Sequence, residues 1–212
     1  MSKDSTALKW VRPARQQRSQ RSVQRVLDAA EELFGQQGFE QTSVAQIAAK
    51  AGCAVGTVYS RFRDKEALLH LLHQNLAQEA VLTAESALSA LDPQLPIDQL
   101  ARLMVDFLWS VYQQRPKLVL AVAIRVPDDA AIAERSERLL DDVAQRLGAF
   151  LARHQDLRLS DPQDCADFTL RLIFGAFHHR ALHAGFRPER RSGAAFVEEL
   201  SRAVAGYWRA CG

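Results

Sequence analysis

Cysteine is scarce in this chain: Cys53, Cys165 and Cys211 are far apart in sequence and odd in number. Such a set argues against a disulfide framework, and no Cys-x-x-Cys or Cys/His spacing suggests zinc. His179 and His183 stand four apart on a predicted helix but have no third ligand in view, so no metal site is assigned. No apolar run approaches 18 residues, which leaves no membrane span. The first residues are charged but lack the apolar core of a signal peptide, so a cytoplasmic protein is expected. There is no phosphate loop and no paired nucleophile and base, so neither an enzyme nor a cofactor is expected. No stretch alternates apolar and polar residues as a strand does.

What is present is helical periodicity and a lopsided charge. Nearly half of the 212 residues are hydrophobic, enough for a sizeable core. The net charge is only +2, yet residues 1–65 hold eleven Lys/Arg against six Asp/Glu, a balance of +5 that leaves −3 for the rest. Residues 1–17 carry Lys3, Lys9, Arg12 and Arg15 against Asp4, and Pro13 interrupts any early helix. They read as a flexible basic arm, either following phosphates or simply solvated. A first helix is predicted over 18–37, with Val23, Val26, Leu27, Ala30, Leu33 and Phe34 on one stripe and Gly38 as its cap. Its Arg18, Arg21 and Arg25 fit phosphate contacts or a solvated face equally well.

The organising stretch is Thr42–Lys65. Ser43 can cap a short helix, with Gln46 completing a capping box. Val44, Ile47, Ala48 and Ala51 form an apolar stripe, Gly52 stops the helix, and Val55, Val58, Tyr59 and Phe62 begin a second apolar set. Counting Val44 as one, small Ala48 falls at five, Gly52 at nine and apolar Val58 at fifteen. This spacing lets two helices cross closely and steeply, as in a helix-turn-helix. The second helix would be the recognition helix. Its outward residues Ala54, Gly56, Thr57, Ser60 and Arg61 are small or hydrogen-bonding, and none is acidic. Asp64 can cap the next helix. Lys65, a cation in a first turn, makes electrostatic sense if a phosphate sits there too. Cys53 in the turn reads as a small buried filler or a redox sensor.

The stretch resembles the DNA-binding segment of the tetracycline-repressor (TetR) family. The family pattern appears as Thr42-Ser43, Ile47-Ala48, Ala51-Gly52, Gly56-Thr57-Val58-Tyr59, Phe62 and Lys65-Glu66-Ala67-Leu68, within a match over roughly residues 19–70. Val55 and Ser60 stand where other residue types are frequent in the family, so the operator cannot be carried over. The resemblance implies DNA contacts from Thr42, Ser43, Ala54, Val55, Gly56, Thr57, Tyr59, Ser60, Arg61 and Lys65.

Beyond this head, helices are predicted over 65–91, 96–114, 116–125, up to 154, 161–184 and 191–211, with Gly185-Phe186-Arg187-Pro188 linking the last two. The expected fold is all-α, with about nine helices. Residues 18–64 form a helix-turn-helix DNA-binding domain, with the motif over about 42–62. Residues 65–212 form a regulatory and dimerisation domain. The resemblance implies a homodimer through the last two helices, with Phe168, Leu172, Ala176, Phe196, Leu200, Val204 and Tyr207 as interface candidates. It also implies a pocket for a small hydrophobic or aromatic effector of unknown identity, drawn from His70, His73, Met104, Phe107, Trp109, Tyr112, Arg125, Phe174 and His178. The function expected is a homodimeric repressor on a palindromic double-stranded DNA operator, released by that effector. The alternative is a ligand-independent or partner-controlled DNA-binding regulator, activator or repressor. An enzyme or a structural helical bundle ranks last.

Overall fold

The computed structural model describes residues 17–183 and 192–211. The expected basic arm, apart from Gln17, the Gly185–Pro188 link and the side chains of Arg18 and His183 lie outside the described residues. Among the described residues there are nine α-helices and no strand: α1 (Gln17–Gln37), α2 (Val44–Lys50), α3 (Val55–Tyr59), α4 (Lys65–Ala90), α5 (Ile97–Gln114), α6 (Pro116–Arg125), α7 (Ala130–Leu151), α8 (Pro162–His183) and α9 (Gly193–Ala210). The bounds follow the periodicity within a residue or two, except that α7 ends at Leu151, short of His154. The cause is the His154 ring, which is buried. Its Nδ1 accepts from the Asp156 amide at 3.2 Å, which puts the proton on Nε2 to donate to the Leu95 carbonyl at 2.8 Å. Those two bonds hold the chain in a turn that a helix would not allow.

The described residues pack as two compact units. The first comprises residues up to Gln78 together with Lys117–Arg135. The second comprises Glu79–Pro116 and the chain from Ser136 onward. In the first unit, Val26, Leu27, Ala30 and Phe34 of α1 meet Ile47 and Ala48 of α2, Val58 of α3, Phe62, and Leu68, Leu69 and Leu72 of α4. Each fully buried side chain of this kind contributes about 1.5–3 kcal/mol. Leu118 and Val122 of α6 and Ile132 of α7 complete the same core, a partnership that periodicity alone does not reveal. Gly38, at φ 90°, donates its amide to the Phe34 carbonyl at 3.1 Å and turns Phe39 back onto Phe34, with ring centroids 5.0 Å apart.

In the second unit, α9 lies against α5 and α8. Trp208 is fully buried and donates its indole N–H to the Thr169 hydroxyl at 2.9 Å, which in turn donates to the Cys165 carbonyl at 2.7 Å. Leu200 and Val204, expected from their stripe at a subunit interface, are instead buried within this unit, at 7% and 0% exposure. They lie on the inward face of α9 and have no surface to offer a partner.

Candidate nucleic-acid interface

The α2–α3 pair is built by local rules. The Gln46 amide donates to the Ser43 hydroxyl at 3.2 Å, and the Ser43 amide donates to Gln46 Oε1 at 2.7 Å, a complete capping box. At the other end of α2, the Cys53 amide donates to the Ala48 carbonyl at 3.0 Å and the Gly52 amide to the Ala49 carbonyl at 3.2 Å. These two bonds, with Gly52 at φ 64°, make a Schellman motif, and the left-handed position is where glycine costs least. Ala54 then sits extended as the N-cap of α3. Ala48 and Val58 are each 1% exposed, which is the close crossing their spacing predicts.

The outer face of α3 exposes large apolar side chains. Val55 and Tyr59, one turn apart, are 41% and 47% exposed. Gly56 and Ser60 are exposed between them, and Thr57 and Arg61 are half-buried. A Cβ placed on Gly56 would meet no atom within 4 Å, so the protein's own packing does not require glycine there. The Ser60 hydroxyl donates to the Thr57 carbonyl at 2.7 Å. The helix contains no acidic residue.

Thr42 and Lys65 are more occupied than their motif positions suggest. Thr42 is buried. Its hydroxyl donates to the Gly38 carbonyl at 2.7 Å and accepts from Gln37 Nε2 at 3.1 Å. That side chain fixes the entry to α2 and has no face left for DNA, which corrects the expectation for it. Ser43 is exposed, but its amide and hydroxyl are used in the cap. Lys65 donates to the Phe39 carbonyl at 2.8 Å, with its ammonium 4.1 Å from the Phe39 ring centroid. An ammonium has three donors, so Lys65 is oriented by Phe39 and not exhausted by it. Asp64 accepts from the Ala67 amide at 2.8 Å, the cap expected for α4, and pairs with Arg63 at 2.6 Å. Arg21 and Arg25 are exposed on α1, and Lys50 pairs with Glu32 at 2.6 Å.

The effector candidates fall into separate groups. Met104 and Phe107 line an apolar cavity of about 220 Å³ in the second unit, with Leu88, Leu103, Leu147 and Leu170. Trp109, Tyr112, Phe174 and His178 join Phe177 in an aromatic cluster of the same unit. Its ring centroids are 5.1 Å apart for Trp109–Phe177, 5.2 Å for Tyr112–Phe177 and 6.2 Å for Tyr112–His178. The Tyr112 hydroxyl and His178 Nε2 are buried there with no hydrogen-bond partner among the described residues. Burial raises the Tyr112 pKa and lowers that of His178.

His70, His73 and Arg125 belong to the first unit and are accounted for by their neighbours there. His70 Nε2 lies 2.9 Å from Asp129 Oδ2, and His73 Nδ1 lies 3.3 Å from the Arg135 guanidinium. Burial pushes both histidines toward the neutral form. Arg135 opposes their charge further, and His73 is lowered to about 4. Asp129 also caps α7, accepting from the amides of Ala131 and Ile132. Arg125 pairs with Glu40 at 2.8 Å and lies over the Phe39 ring at 4.3 Å. Sequence reasoning missed this polar cluster because its acid and its arginine lie far down the chain from the histidines.

This architecture defines a helix-turn-helix protein with an accessible recognition helix. Residues 26–72 match the family model of bacterial regulatory proteins of the tetR family. Among curated relatives it is 29% identical over 128 residues to the HTH-type transcriptional regulator AcrR of Shigella flexneri, covering 58% of this chain and 59% of that protein. The match thus spans under two thirds of that relative's length. A 44-residue stretch is 43% identical to the fatty acid metabolism regulator protein of Bacillus subtilis, 23% of that protein. Solved structures share the fold over most of the chain. The fatty acid degradation regulator FadR of Bacillus halodurans is 17% identical with a TM-score of 0.65, covering 92% of this chain and 97% of that one. SmeT, the repressor of a Stenotrophomonas maltophilia multidrug efflux pump, is 22% identical with a TM-score of 0.58, covering 85% and 88%.

Proposed function

We propose that this protein is a homodimeric transcriptional repressor that lays α3 of each protomer into successive major grooves of a palindromic operator. The observation that carries the reading is the outer face of α3. It exposes two apolar side chains and a glycine the fold does not need, and it carries no acid to repel phosphate. Gly56, Thr57 and Arg61 lie nearest the bases, Val55 and Ser60 tune which bases are read, and Ala54 allows close approach. Thr57, Tyr59 and Lys65 serve the phosphate backbone, and Ser43, held in the cap, sets the start of α2 beside it. Functionally, residues 18–64 read DNA, preceded by the 1–17 arm, and residues 65–212 regulate and dimerise.

The dimer forms through α8 and α9. Phe168 is 49% exposed and packs at a tilt against Tyr207, ring centroids 4.8 Å apart, giving an aromatic surface suited to a two-fold partner. Leu172, Ala176 and Phe196 are half-buried candidates on the same two helices. Release from DNA follows from an effector that binds the non-fitting conformation better. The cavity lined by Met104 and Phe107 suits a compact apolar molecule. The buried Tyr112 hydroxyl and His178 Nε2 offer hydrogen bonds to a polar group in the aromatic cluster. None of these roles is enzymatic.

Pull-down of genomic fragments at near-physiological salt, followed by sequencing, tests the reading. A short palindrome is expected. Salt-sensitive binding with no enriched sequence would refute it.

A further inference from the structure

Cys165 and Cys211 are distant in sequence, but the fold brings them together. Cys165 sits in the first turn of α8 and Cys211 closes α9. The two ends are held side by side. Trp208 reaches Thr169 at 2.9 Å, the Phe168 and Tyr207 rings pack at a tilt with centroids 4.8 Å apart, and the Ser160 amide donates to the Cys211 carbonyl at 3.4 Å. The Cys211 side chain is near enough to those of Cys165 and Tyr207 to raise the pKa of both. Both cysteines are free. They differ in access, because Cys165 is 1% exposed whereas Cys211 is half-exposed.

We propose that Cys165 and Cys211 form an oxidation site at which a hydroperoxide converts the two thiols into an intramolecular disulfide tying the start of α8 to the end of α9. The division of labour follows from access. The Cys211 thiolate attacks one peroxide oxygen. The O–O bond breaks, the other oxygen leaves with a proton as water or an alcohol, and Cys211 becomes a sulfenic acid. Cys165 sulfur then attacks the Cys211 sulfur. The S–O bond breaks, the Cys165 proton goes with the departing hydroxide, and water is released. In sum, two thiols give up two electrons to one peroxide. Cys165 is 1% exposed and does not meet the oxidant itself; burial and the neighbouring Cys211 push its thiol up to about 12, so it attacks only as its proton passes to the departing hydroxide. Its place against Cys211 makes it the resolving thiol.

The test is thiol counting on the purified full chain treated with hydrogen peroxide, then unfolded, alkylated and mapped by mass spectrometry. Three thiols should fall to one, the survivor being Cys53, with a peptide cross-linked between Cys165 and Cys211 and a monomer band on a non-reducing gel. Reductant should restore all three. Cys165→Ala should stop at a Cys211 sulfenic acid that a dimedone probe captures. Cys211→Ser should leave its two remaining thiols unoxidised under the same treatment. Retention of all three thiols in the wild-type chain, loss of Cys53 in preference, or an intermolecular Cys211 cross-link would each overturn the proposal. The wild-type map decides the matter even if a cysteine variant folds poorly. None of these readouts involves DNA, so the proposal stands or falls separately from the repressor reading.

Discussion

Replacing Gly56 by alanine separates a surface kept for DNA from one kept for folding. The new methyl meets no atom within 4 Å, and Gly56 is not at positive φ, so the folded protein accommodates it without strain. Alanine is favoured over glycine in a helix by at most about 1 kcal/mol, which for a chain of this length is an upward Tm shift of about 2–4 °C. On DNA the sign reverses. The methyl lies on the outer face of α3, where it holds the helix off the base edges. A loss comparable to one mismatched base pair, about 1–3 kcal/mol or roughly five- to 150-fold in Kd, is expected. Gly35→Ala is the control. It is mid-helix in α1 with the same open surroundings, so it should raise stability similarly and leave DNA affinity unchanged. The assay is calorimetry beside fluorescence anisotropy on a selected operator. Gly56→Ala with wild-type affinity would refute the placement of α3 in the groove, and a fall in Tm would refute the reading of its surroundings.

Five further outcomes are expected. Lys65→Ala should weaken binding to all sequences alike and reduce the slope of log K against log salt by about 1 per protomer, measured by anisotropy across a salt series. Phe168→Ser should halve the mass seen by sedimentation while changing stability by less than about 0.5 kcal/mol. Leu200→Ala, by contrast, should cost about 2–5 kcal/mol because its site is buried. His73 has a folded pKa of about 4, below its unfolded value of 6.5, so the unfolded chain binds the extra proton. Stability contributed by neutral His73 is therefore complete above pH 6.5 and lost as pH falls toward 4. The loss is about 2 kcal/mol between pH 7 and 5, read from urea unfolding, and His73→Asn should flatten that dependence. Ser43→Ala should cost about 1 kcal/mol through the lost cap of α2.

Local rules made the head legible. The Ser43–Gln46 box, the Gly52 stop and the Ala48–Val58 crossing each depend on residues a few positions apart, and each forms as the pattern predicts. Partners distant in the chain were not legible. The apolar stripe of α6 gives no sign that Leu118 and Val122 join the head core, and the two faces of α9 look alike until α5 buries one of them. That is why Leu200 and Val204 stood out as interface candidates. Thr42 matched a family position, yet its hydroxyl was claimed by Gly38 four residues back, a bond that only the turn geometry reveals. His70, His73 and Arg125 read as polar groups of the apolar, aromatic pocket that the resemblance implies. Asp129, Arg135 and Glu40 answer each of them from elsewhere in the chain. Cys165 and Cys211 show the same limit, since sequence separation hid their contact.

The central claim is that α3 reads bases, and altered specificity tests it most directly. Val55 is exposed, so Val55→Gln places a side chain able to bond an adenine edge at little cost to the fold. Selection from randomised duplexes should return a two-fold symmetric sequence for the wild type. For Val55→Gln it should return the same sequence changed at one symmetric pair of positions. Identical selected sequences for the two proteins would contradict the account.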